Sequence, residues 1–253
     1  VLPLVLAAAL PALAGGPPPE VSARLERSIK FLEPGSFIGS YTATTRTIVS
    51  KRDGSAREEM VLVQRDTVLP DGGHERQLVR ATKDGKDVTE EQRKRFKTEV
   101  KSHEKTKKDG KAEKAGEKEF QLPFEAGNGK LFTFGDPVRD GELLVQAFDP
   151  VADHRKDTGM TSGKLAWNPG TLDPAWIEFT FATMPTGLSE VLFRFEFARA
   201  GDEVVLRRMV TSGVGGILWI KRRFSAEVEF SDVVRAQASQ TMPTGTPAAP
   251  PPS

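Results

Sequence analysis

The densest group of residues able to do chemistry is Asp149, Asp153, His154 and Asp157. Aspartate and histidine bind calcium or zinc. Their spacing here fits neither an EF-hand loop nor a zinc motif, and Arg155 and Lys156 place two positive charges among the would-be ligands. A polar hairpin loop accounts for the same residues. Ser162 follows His154 closely, yet no serine in the chain stands in a G-x-S-x-G elbow. Gly213-Val214-Gly215-Gly216 has the composition of a phosphate loop but lies between strand-like runs, with no helix after it, and reads as a hairpin turn or bulge. Trp219 beside Lys221, Arg222 and Arg223 has the composition of a membrane-interface anchor, and strand alternation explains it equally. There is no cysteine, which excludes disulfides, thiol nucleophiles and cysteine metal sites, and there are three histidines. Lys and Arg number 36 against 35 Asp and Glu, so no global positive field points to nucleic acid. Without an acid, base and nucleophile in one constellation, the expectation is a non-enzyme with no cofactor and no metal.

What remains is aromatic. Ile177, Phe179 and Phe181 alternate with Glu178 and Thr180; Val191, Phe193, Phe195 and Phe197 alternate with residues that include Arg194 and Glu196; Phe224, Ala226, Val228 and Phe230 alternate with Ser225, Glu227 and Glu229. Successive strand side chains point to opposite faces, so each run is a strand with one apolar and one polar side. Strands in series with short turns make an antiparallel meander. Ile177, Phe179, Phe181, Phe193, Phe195, Phe197 and Phe224 are the candidates for an apolar pocket, since a curved sheet can enclose a cavity for an acyl chain. A packed core accounts for some of the same rings.

The elements that must position these strands run in order. Val1 to Ala14 is apolar, too short to span a bilayer, and ends in Ala12-Leu13-Ala14, as a signal peptide's apolar region and cleavage site do. Gly15 to Pro19 is a linker. Glu20 to Leu32 reads as an amphipathic helix through Val21, Leu25, Ile29 and Leu32. Strands are expected at Phe37–Ser50, Arg57–Asp66, Glu75–Thr82 and Leu143–Phe148. From Thr89 to about Glu119 the pattern turns charged: Thr89 and Gln92 have capping-box spacing, and apolar residues are nearly absent beyond Phe96 and Val100. Phe120 to Phe134 reads as a loop or short helix packing as a lid. Pro243 to Ser253 has the composition of a disordered tail.

The layout resembles the LolA/LppX/RseB-like group of exported proteins, the lipoprotein-carrier fold. The resemblance rests on the helix Val21 to Leu32 and on Tyr41-Thr42-Ala43-Thr44 opening the first long strand. Gly163-Lys164-Leu165-Ala166-Trp167 and Pro174-Ala175-Trp176-Ile177 follow, then Phe193-Arg194-Phe195-Glu196-Phe197, Lys221-Arg222-Arg223-Phe224 and Phe230-Ser231-Asp232. It implies a mainly β (α+β) fold: a strongly curved antiparallel sheet or unclosed half-barrel, with an N-terminal helix and a charged helical insertion covering or flanking it. The expected division is a signal peptide at 1–14, a linker at 15–20, one β domain at 21–236 with the insertion at 87–119, and a disordered Pro-rich tail at 237–253. The implied function is a non-catalytic periplasmic carrier with an apolar pocket for lipid or lipoprotein acyl chains. The alternative is an envelope sensor or regulatory module docking an inner- or outer-membrane protein.

Overall fold

A computed structural model describes residues 15–30, 38–68, 74–96, 120–125, 127–217 and 220–235. The expected signal peptide, the Pro-rich tail, Trp219 and residues 97–119 of the charged insertion lie outside them. α1, Pro19–Ile29, opens with proline in its first turn, where the missing N–H has no partner to lose, and buries Val21, Leu25 and Ser28. Arg24 ties it to Asp173, which also takes Arg199 Nε at 2.8 Å. Ser28 Oγ donates to the Val204 carbonyl at 2.7 Å.

The strands are β1 Ile38–Lys51, β2 Glu58–Val68, β3 His74–Lys83, β4 Lys86–Asp87, β5 Phe132–Phe134, β6 Val138–Asp140, β7 Leu143–Pro150, β8 Thr161–Trp167, β9 Pro174–Phe181, β10 Leu188–Ala200, β11 Glu203–Ile217 and β12 Ile220–Arg235. They form one antiparallel sheet in the order β4-β3-β2-β1-β12-β11-β10-β9-β8-β7-β5, with β6 also on β7. The first and last strands therefore meet in the middle. The chain steps outward from β1 to the edge at β4, crosses to the far edge at β5, and meanders back to β12. The two edges do not pair, so the sheet is an unclosed half-barrel, as expected.

Register puts the apolar members of β9, β10 and β12 on one face, called inner here: Phe179 opposite Phe193, Ile177 opposite Phe195, and Val228 opposite Met209. α1 packs on this face against β9 and β11. The segment after the insertion packs there too, with Leu122 and Phe124 buried and Phe120 in ring contact with Phe179, Phe193 and Phe195. The outer face carries the alternating charges. Arg194 reaches Glu178 and Glu196, Arg208 reaches Glu196 and Glu227, and Arg46 reaches Glu59 at 2.8 Å. Arg194 also stacks over Trp176 at 4.7 Å.

One local expectation changes and a second narrows. Residues 89–96 are helical, but the capping side chain is Asp87, whose Oδ1 accepts the Thr89 N–H at 2.8 Å. Thr89 Oγ1 turns back to the sheet, accepting from the Ala81 N–H at 2.9 Å, because an edge strand offers it an unpaired backbone donor. Of the hairpin turn or bulge expected at Gly213, Gly215 and Gly216, the turn is absent and a bulge-type register shift is present. The glycines lie inside β11, and the register shift sits opposite them between Leu188 and Glu190 of β10. A Cβ on Gly213 would stand 2.4 Å from the Glu190 carbonyl oxygen and 2.8 Å from Phe224 Cζ. These glycines let the strands and the Phe224 ring approach.

Candidate functional site

The seven candidate residues divide between core and margin. Ile177, Phe179, Phe195 and Phe197 are buried and belong to the core with Val21 and Leu25 of α1. Phe179 alone makes ring contacts with Phe120, Phe193 and Phe195 at centroid distances of 5.0 to 5.3 Å. Phe193 is half-buried at the edge of that core, with Phe181 edge-on to it at 5.7 Å. Phe224 is half-buried and lies outside the core cluster. Over β8 to β10 the interior is therefore filled with side chains.

Beyond Phe193 the inner face continues across β11, β12, β1 and β2. Pairing gives one cross-strand row of Met209, Val228, Thr45 and Leu62, and a second of Thr211, Ala226, Thr47 and Met60. Phe224 and Val49, paired with each other, make a third, which ends on β2 at the exposed Glu58 opposite Val49. All of these residues are half-buried. Met209 and Val228 touch the core; Phe224, Ala226, Val49, Leu62 and Met60 are not part of it. The sequence reading missed the share of β1 and β2 in this face. Runs such as Met60-Val61-Leu62-Val63 are apolar at every position, so alternation cannot say which side faces in. Their cross-strand partners do.

At the end where β1 begins and β2 ends, away from β4, this region closes on a polar cluster. Asp66 is buried and accepts from Arg76 Nε at 2.9 Å. Tyr41, opposite Asp66 in the pairing of β1 and β2, has its phenol pushed up to about 12, first by burial and then by the Asp66 charge and hydrogen bond. Tyr41 also packs edge-on to Phe230, with ring centroids 5.6 Å apart.

A cavity of about 500 Å³ lies on the opposite, outer face at one end of β1, β12, β11 and β10. Ile48, Ser50, Leu192, Ser212, Val214 and Arg223 are among its walls. Of the seven candidates only Phe224 borders it.

Asp149, His154 and Asp157 of the polar group that opened the sequence reading are taken up by neighbours. His154 Nδ1 lies 2.7 Å from Asp157 Oδ2, Arg155 pairs with Asp149, and Ser162 Oγ donates to Asp149 Oδ1 at 2.6 Å. Among the described residues no set of three or more His, Asp or Glu is placed to hold a metal ion. Nor is any described helix long and apolar enough to cross a membrane.

No family model and no curated protein matches the chain. Several solved structures do. One is a putative outer membrane lipoprotein-sorting protein domain from Vibrio parahaemolyticus, 13% identical, with 85% of this chain and 91% of that one covered and a TM-score of 0.33. Another is a DUF1329 family protein from Desulfovibrio piger, 6% identical, covering 85% and 93%, with a TM-score of 0.34. A third is the MucA/MucB complex of Pseudomonas aeruginosa, 12% identical, covering 83% and 94%, with a TM-score of 0.24. Each of these is a structure that the chain is similar to. Likeness at this level bears on neither ligand nor partner.

Proposed function

We propose that this chain is a non-catalytic binding or carrier protein that takes an acyl chain along the inner face of β11, β12, β1 and β2. The observation that supports this reading is the run of half-buried apolar residues past the core. Phe224, Val49, Met60 and Leu62 share the face that α1 closes elsewhere, yet stand outside the packed cluster. Isolated exposed apolar residues are ordinary, but contiguous rows of them next to a filled core suit an apolar ligand. Export through the segment 1–14 would place the protein in the periplasm, where lipids and lipoproteins are the apolar cargo.

The test is a fluorescence titration of the purified protein with cis-parinaric acid, which brightens on leaving water. Saturable binding is expected, weakened by Leu62→Glu on the proposed tract and unaffected by Leu192→Glu on the outer face. Flat fluorescence across the titration overturns the reading. So does equal loss of binding in both variants.

A further inference from the structure

The apolar rows end at a distinctive pair of charges. One step beyond Phe224 and Val49, on the same face, Lys51 of β1 stands directly opposite Arg222 of β12. Like charges directly opposed across an antiparallel ladder repel and cost stability. Both side chains are exposed, and neither forms an ion pair with a described residue.

The acids at this end do not neutralise them. Asp53 accepts the Ser55 N–H at 2.9 Å and is held below the usual carboxylate range, first by Ser55 and to a smaller extent by the Lys51 charge. Glu58 pairs with Lys83 at 3.2 Å. Glu190 lies opposite Val214, on the outer face with Arg223. On the other side of Arg222 is Gly215, which adds neither charge nor bulk. Arg52, next along the chain, is a further exposed cation. The mouth of the tract thus carries Lys51, Arg222 and Arg52 against one acid on the same face, Glu58 opposite Val49, which Lys83 holds; beyond it the floor is Phe224, Val49, Met60 and Leu62 with the small Thr45 and Thr47 between them.

We infer that the ligand of this tract is a single-chain amphiphile with an oxyanion head, a carboxylate or a phosphate. Lys51 and Arg222 hold the head, and the tail lies along Phe224, Val49, Met60 and Leu62. Arginine suits either oxyanion through its planar fork of donors, and lysine supplies a second point charge. From Lys51 to Thr45 the tract is six residues long, roughly 20 Å at strand rise, which accommodates a long-chain tail. An anion between the two cations converts a repulsive pair into two attractive contacts.

The inference rests on the acyl-binding reading, and the experiment separates the two. Titrate the protein with cis-parinaric acid and with its methyl ester, then displace the acid with dodecyl phosphate or with dodecanol. The acid should bind about tenfold or more tighter than the ester, the scale of one charge-assisted contact. Dodecyl phosphate should compete and dodecanol should compete poorly. Lys51→Gln/Arg222→Gln should abolish the preference for acid over ester while ester binding persists. Arg65→Gln, an exposed cation lost from the outer face, should leave the preference unchanged. Equal binding of acid and ester overturns the head assignment and leaves the carrier reading standing, as does an Arg65→Gln effect equal to that of the double variant. Binding of neither probe removes the carrier reading and this inference together.

Discussion

The two halves of the sheet are built from the same alternating strands but held by different forces. From β7 to β11 the inner face is closed by α1 and by residues 120–124, and Trp167, Ile177 and Phe179 are almost wholly removed from water. Among the described residues of β2 and β3 only Leu78, Ala81 and Asp66 are buried, and Met60, Val61, Leu62 and Val63 stay half-exposed. That half relies on its backbone ladder and on the buried Asp66 with Tyr41 and Arg76. Packing fixes one half. The other is left with apolar surface to spare, which is where a ligand can contribute stability.

The sharpest way to break this comparison is to truncate one inner-face side chain in each half. Phe179→Ala removes a ring that is 1% exposed and in contact with three others. It should lower unfolding free energy by about 3–5 kcal/mol in urea denaturation. Leu62→Ala, from the half-exposed row, should cost well under half of that, because the face there is already partly in water. Equal losses would mean that β2 is as tightly packed as β9. Saturating cis-parinaric acid should then raise the melting temperature of the native protein and raise it less in Leu62→Ala.

A second contrast concerns pH. The Tyr41 phenol is held protonated by burial and by Asp66, so its folded pKa of about 12 lies above the ordinary 10.0. A folded pKa raised in this way stabilises the fold fully below pH 10 and loses its contribution as pH climbs toward 12. The native protein should therefore lose stability more steeply between pH 10 and 12 than Tyr41→Phe, measured by urea midpoints at each pH. Tyr41 is the chain's one tyrosine, so the half around β9 has no phenol to titrate and Phe179→Ala should keep the native slope. Parallel curves for native protein and Tyr41→Phe would remove Tyr41 from this role.

The contrast also explains what the sequence could and could not say. Alternation in β9, β10 and β12 is strict enough to give face as well as strand, and Phe179, Phe195 and Phe230 point inward as expected. The role of these rings was not legible. A row of phenylalanines reads the same whether it fills a core or lines a space, and only the position of α1 and Phe120 distinguishes the two. Gly213 to Gly216 read as a hairpin turn or a bulge, because glycine suits both, and the sequence could not choose between them. The actual reason for Gly213 is the Phe224 ring and the Glu190 carbonyl, neighbours set by strand pairing over long separations. Lys51 and Arg222 were invisible as a pair for the same cause, since they stand 171 positions apart in the chain.

The smallest expected effect lies on the outer face, where the two halves are continuous. Arg208 bridges Glu227 at 2.6 Å and Glu196 at 3.5 Å, and Glu196 in turn holds Arg194, so carboxylates and guanidinia lace β9 to β12. Arg46 of β1 stands opposite Glu227 and extends the charge pattern into β2 through Glu59. The pairs of Arg208 are partly exposed, which limits the worth of each to about 0.2–1 kcal/mol and makes it sensitive to salt. Arg208→Ala should shift the urea midpoint slightly at low ionic strength and less at 1 M salt. Truncating Arg208 leaves Glu196 and Glu227 on neighbouring strands with one cation fewer between them, so part of the loss is their mutual repulsion. Arg208→Ala/Glu227→Ala should accordingly recover some of it. A salt-independent loss of the size seen for Phe179→Ala would instead mean that the aliphatic stem of Arg208 packs as core, and that the outer face holds the two halves together more firmly than the inner one.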